Sequence, residues 1–124
     1  MTSINHRQIG ADVHGELTFF EIGVPDSGRA QEFYGRLFGW EFPPIGVGDE
    51  VSIRTPTTMA GLHDQDAEAR IAMYFSVDDI ESAVRTVRAL GGTAEDPRPE
   101  EAGFGRFTAC TDDQGVQFGL HQRQ

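Results

Sequence analysis

Apolar and polar residues alternate through "ELTFFEIGV". Phe20, Ile22 and Val24 fall on one face of a strand, and Leu17, Phe19 and Glu21 on the other. In the following "PDSGRAQEFYGRLFGW" the period lengthens. Ala30, Phe33, Tyr34, Leu37 and Phe38 recur at helical spacing and predict one apolar side. Asp26 or Ser27 can cap the start of this helix by accepting a backbone N–H. Gly39 can end it in the left-handed conformation. "WEF" then reads as a short strand stopped by Pro43 and Pro44. "VSIRT" and "TTMAGLH" read as two more, with "GVGDE" and Pro56 as turns.

The same order returns. "IAMYFSV" alternates, with Met73, Phe75 and Val77 on one face and Ala72, Tyr74 and Ser76 on the other. Asp78 and Glu81 have capping-box spacing. Ile80, Ala83, Val84, Val87 and Leu90 form an apolar stripe closed by Gly91. "TAE", "RFTACT" and "VQFGLH" read as strands, separated by the loop "DPRPEEAGFG" and the turn "DDQG". Gly61, Leu62 and His63 reappear as Gly119, Leu120 and His121. The chain therefore reads strand-helix-strand-strand-strand twice, a duplication rather than a solenoid.

The length of 124 residues fits one domain with a real core. Residues 1–13 are polar and aperiodic and read as a flexible tail. Residues 14–124 then form a single domain of two modules, 14–66 and 67–124. A net charge of −10 speaks against nucleic acid and anionic membrane as partners. No apolar run reaches membrane-spanning length, and the N-terminus lacks a signal-peptide core. The expected location is cytoplasmic. Cys110 stands alone, which excludes a disulfide framework and a Cys-rich zinc site. It reads as a buried small side chain.

"FFEIGVPDSGRAQEFYGRLFGWEF", "YFSVDDIESAVRTVRALGGT" and the closing "DDQGVQFGL" resemble the vicinal oxygen chelate superfamily, the group of glyoxalases, bleomycin-resistance proteins and extradiol dioxygenases. The resemblance covers nearly the whole chain. It implies an α+β fold in which two βαβββ modules form a cup-shaped, half-barrel mixed sheet with helices on the convex side. It also implies a homodimer.

Metal-dependent members of that superfamily place one ligand on the first and one on the fourth strand of each module. Carried onto this chain, those positions hold Phe19, Gly61, Ala72 and Gly119. None offers a carboxylate, imidazole or thiolate, so the expected metal and cofactor content is none. His63 and His121 lie two residues beyond two of these positions. They read as rim histidines bonded to backbone or water, with a displaced metal site as the alternative. The expected ligand-binding set is Phe19, Glu21, Met59, His63, Tyr74, Ser76, Gln117 and His121. Glu21 is the candidate acid or base, because a carboxylate facing an apolar cup loses solvation. Tyr74 can donate to a ligand oxygen.

Three functions compete. The first is a metal-free protein that binds a small, partly aromatic molecule for sequestration, resistance or delivery. The second is a metal-independent isomerase, cyclase or lyase using Glu21. The third is a metal-dependent lyase or dioxygenase with a displaced site.

Overall fold

The computed structural model describes residues 13–45 and 51–124. The predicted tail, apart from Val13, and the predicted turn "GVGDE" lie outside the described residues. The elements run β1 (Leu17–Gly23), α1 (Ser27–Phe38), β2 (Val51–Arg54), β3 (Met59–His63), β4 (Arg70–Ser76), α2 (Ile80–Ala89), β5 (Thr93–Ala94), β6 (Gly105–Thr111) and β7 (Gln117–Arg123). The fold is mixed α+β, with parallel and antiparallel strand pairs in both halves. No described helix is long and apolar enough to cross a membrane.

The chain divides into two compact units. The unit Phe19–Ala72 orders its strands β2-β3-β1, with β3 antiparallel to β2 and parallel to β1. Helix α1 covers one sheet face. Ala30 is buried with Ile22, Ile53, Ala60 and Leu62, and Phe20, Val24, Tyr34 and Trp40 pack around them. Trp40 therefore belongs to the core of this unit, among the rings of Phe20, Tyr34 and Phe38. The predicted strand "WEF" forms only isolated bridges, Glu41 with Arg54 and Pro44 with Val51. The pairing is one-sided: Ser52 and Arg54 donate to Pro43 and Glu41, and prolines have no N–H to return.

The second unit is Met73–Gln124 together with the described residues before Phe19. Its strands run β4-β7-β6-β5. The segment before Phe19 is tied in by Gly15 N–H to the Ser76 carbonyl, Ser76 N–H to the Glu16 carbonyl, and the Thr18 hydroxyl to the Tyr74 carbonyl. Helix α2 buries Ile80 and Val84 against Val77, Cys110 and Leu120. Burial pushes the Cys110 thiol up to about 11, so it is an inert packing group. Met73, on the same predicted strand face as Phe75 and Val77, is exposed and lies outside the buried cluster under α2.

The duplication is visible in the helix termini. Asp26 caps α1 by accepting from Arg29 N–H, and Asp79 caps α2 by accepting from Ser82 N–H. The predicted cap at Asp78 is thus one residue early: Asp79 has the extended backbone a cap requires. Asp78 instead faces His14 at 3.7 Å. Gly39 ends α1 at φ +75°, a conformation glycine adopts without steric cost.

Candidate functional site

In each unit, one sheet face packs on its helix and the opposite face carries the predicted site residues. In the first unit that face holds Phe19, buried, and Glu21, half-buried. Strand β3 lies alongside, with Phe19 in register with Met59, Glu21 with Gly61, and Gly23 with His63. The backbone places Met59 as expected, while its side chain lies outside what the structure describes. His63 is exposed, as a rim histidine is. Glu21 lies over Gly61: a Cβ there would sit 3.8 Å from Glu21 Cγ, in ordinary contact. Arg54 does not hold Glu21 by ion pairing; its Nη1 is 2.8 Å from Glu41 Oε1.

The second unit repeats this register, pairing Tyr74 with Gly119 and Ser76 with His121. Tyr74 is therefore the counterpart of Glu21, and each lies beside a glycine. The outcome differs. A Cβ on Gly119 would fall closer than 3.0 Å to three carbons of the Tyr74 ring. The ring occupies the space that a side chain at this fourth-strand position would need. Tyr74 is buried and meets Phe107 edge to face, with centroids 5.9 Å apart. Phe107 in turn meets Phe104 at 5.7 Å, and the Arg98 guanidinium lies 5.6 Å from the Phe107 centroid. Gln117, at the start of β7, is exposed, and Ser76 is buried.

His121 departs from the rim reading. It is only 4% exposed, stacked on Phe104 at 4.3 Å, and its Nε2 is 2.8 Å from the Phe104 carbonyl. The loop before β6 makes the difference. It runs bound along β6, with Glu95 and Arg98 N–H donating to the Ala109 and Phe107 carbonyls, and so delivers Phe104 onto the ring.

Burial lowers the His121 pKa below its ordinary 6.5; the bond to Phe104 opposes that shift and Arg123 adds to it. A depressed folded-state value means that the unfolded chain takes the proton first. The contribution of neutral His121 to stability is complete above pH 6.5 and is lost as pH falls below it. We therefore expect the melting temperature to fall on acidification below that value, and His121→Phe to remove this part of the slope. An unchanged slope in the variant would assign the acid sensitivity elsewhere.

The donor chemistry does not fit a divalent ion. Phe19, Gly61, Ala72 and Gly119 carry no ligating side-chain atom. Among the described residues, no group of three or more His, Cys, Asp or Glu side chains could hold a metal ion.

The sequence reading missed Asp64 and Gln122, which directly follow the two "GLH" stretches. Asp64 Oδ1 accepts from Ser27 N–H at 2.8 Å, and Gln122 Oε1 accepts from Ile80 N–H at 2.7 Å. Each satisfies an otherwise unpaired donor at a helix start. The repeated position after the histidine was the available signal.

Comparison with known proteins agrees with this geometry. A family model described as a glyoxalase-like domain matches residues 19–121. The CFP32 protein of Mycobacterium tuberculosis, which carries a glyoxylase name, is 29% identical over 119 residues, covering 87% of this chain and 46% of its own length. The anthracycline biosynthesis protein DnrV of Streptomyces peucetius is 22% identical, covering 88% of this chain and 47% of its own. The chain thus spans about half the length of these curated relatives. Among solved structures, methylmalonyl-CoA epimerase from Mycobacterium tuberculosis superposes with a TM-score of 0.67 at 16% identity, covering 97% of this chain and 96% of that one. Homoprotocatechuate 2,3-dioxygenase from Brevibacterium fuscum gives 0.71 at 19% identity, covering 93% and 38%. At these identities the solved structures share the fold.

Proposed function

The chain belongs to the glyoxalase-like domain family, within the vicinal oxygen chelate superfamily, and we propose that it binds a small, partly aromatic molecule without the metal used by other superfamily members. The observation that carries this reading is the Tyr74 ring standing against Gly119, where metal-dependent members place a ligand. The sheet face around it suits a planar guest. Phe104 and Phe107 are half-buried rings with surface left to cover, and Arg98 beside Phe107 can orient an electron-rich group. Such binding would serve sequestration, resistance or delivery. Binding near the cell interior's neutral pH, in the cytoplasm and as a homodimer, is part of the same proposal.

A second reading, a metal-independent isomerase, cyclase or lyase, draws on Glu21. Its carboxylate is half-buried, lies over a glycine and is not paired with Arg54, so it has room to meet a substrate.

One experiment separates the two. Metal-free protein is screened by thermal shift against planar aromatic metabolites and antibiotics, and each stabilising compound is followed for conversion. The binding reading predicts a stabilising guest that is recovered unchanged, with affinity lowered about tenfold in Phe107→Leu. It also predicts that Glu21→Gln alters no turnover, there being none. Conversion by the wild type that Glu21→Gln abolishes while sparing binding would establish the enzyme reading instead.

A further inference from the structure

Arg98 is the one base in the loop "EDPRPEE", with Glu95, Asp96, Glu100 and Glu101 around it in sequence. None of the four pairs with it. Asp96 is taken by Arg88, Nη2 to Oδ1 at 3.1 Å, and among the described residues Arg98 forms no ion pair. Its guanidinium lies instead over the Phe107 ring, 5.6 Å from the centroid. That contact draws on the positive charge and leaves the N–H donors unspent.

The backbone beneath this side chain is fixed. Arg98 N–H donates to the Phe107 carbonyl at 3.0 Å, and the Arg98 carbonyl accepts from Arg106 Nε at 3.0 Å. Arg106 is held in turn by Glu81, Nη2 to Oε2 at 3.1 Å. Pro97 and Pro99 restrict the chain on either side. Arg88 and Arg106 thus spend their charge on carboxylates of the protein, while Arg98 is presented from a rigid base at the aromatic face.

We propose that the guest of this face is an aromatic carboxylate, and that Arg98 selects it. The inference rests on the binding reading above and adds the sign of the guest's charge. The net charge of −10 alone would favour a cation. That field is screened beyond about 8 Å at physiological salt, whereas a group laid against Phe107 meets the guanidinium directly. A carboxylate suits one guanidinium, because its two oxygens match two parallel N–H donors. A phosphate dianion would call for a second cation, and the neighbouring Arg106 is already committed to Glu81 and to the Arg98 carbonyl.

The test uses three probes that share one ring and differ in charge: naphthoate, its neutral amide and naphthylmethylammonium. Binding of each to the full chain is followed by backbone amide shifts in NMR titrations at neutral pH. Naphthoate is expected to bind at least about tenfold more tightly than the amide, and the ammonium more weakly than either. Arg98→Gln is expected to bring naphthoate down to the level of the amide. Arg85→Gln removes the same charge from an exposed position on α2 and is expected to keep the preference. Equal binding of the three probes, a preference for the ammonium, or a preference that survives Arg98→Gln would overturn the assignment and leave the binding reading standing. An equal loss of preference in both variants would overturn it too, by tracing the preference to net charge. If no probe shifts Phe107 and its neighbours, the binding reading itself fails and the assignment falls with it.

Discussion

Gly119→Ala is expected to destabilise the protein by about 1–3 kcal/mol, the usual penalty for forcing an extra carbon into a packed site. Gly61→Ala is expected to stay within about 0.5 kcal/mol of wild type. The two glycines are counterparts in a duplicated module, and each lies beside the residue that its neighbouring strand presents in register. Neither has a left-handed backbone, so alanine costs nothing in φ at either position. The neighbour decides the difference. At Gly61 it is the flexible Glu21 side chain, already at ordinary contact distance. At Gly119 it is the Tyr74 ring, approached at Cγ as well as at its edge, and held by burial and by Phe107. A ring approached at its root cannot clear the new methyl by swinging its tip. Thermal denaturation of both variants measures the contrast, with Gly119→Ala melting roughly 4–10 °C lower.

The same contact predicts coupling. Tyr74→Ala removes a buried ring and is expected to cost about 3–5 kcal/mol by itself. In that background the three ring carbons nearest the new methyl are gone, and the penalty of Gly119→Ala is expected to shrink. Additive effects would show that the ring does not fill the space beside Gly119.

Much of the architecture was legible in the alternation of "ELTFFEIGV" and "IAMYFSV", in the helical stripes, and in the repeated "GLH". These are local patterns with a fixed period, and burial enforces them. Where the reading slipped, the cause was local backbone chemistry in two cases and a partner distant in sequence in the others. "WEF" has strand composition, but the two prolines that follow cannot donate to a ladder. Asp78 and Asp79 are equally good caps by residue type, and only backbone conformation chose Asp79. The two histidines share the same "GLH" context. Phe104, from a loop distant in sequence, buries one of them, and no periodicity announces that contact. The Tyr74–Gly119 packing was hidden for the same reason. The sequence named both residues as lying on one face, but which glycine was a space and which was already filled depended on a rotamer.

The central claim is that this member of the superfamily works without a metal. It rests on donor chemistry. Four positions that would each have to supply an oxygen, nitrogen or sulfur ligand supply one phenyl group, one methyl group and two glycines. A first-row divalent ion needs several such donors at once, and affinity falls by orders of magnitude when they are missing. The most direct measurement is calorimetric titration of chelator-stripped, untagged protein with Ni, Zn, Mn and Fe(II), with metal content determined on the protein as purified. The account predicts no stoichiometric binding of any of the four. Tight binding of one ion per chain would contradict it, and would mean that the ligand positions have been placed on the wrong residues.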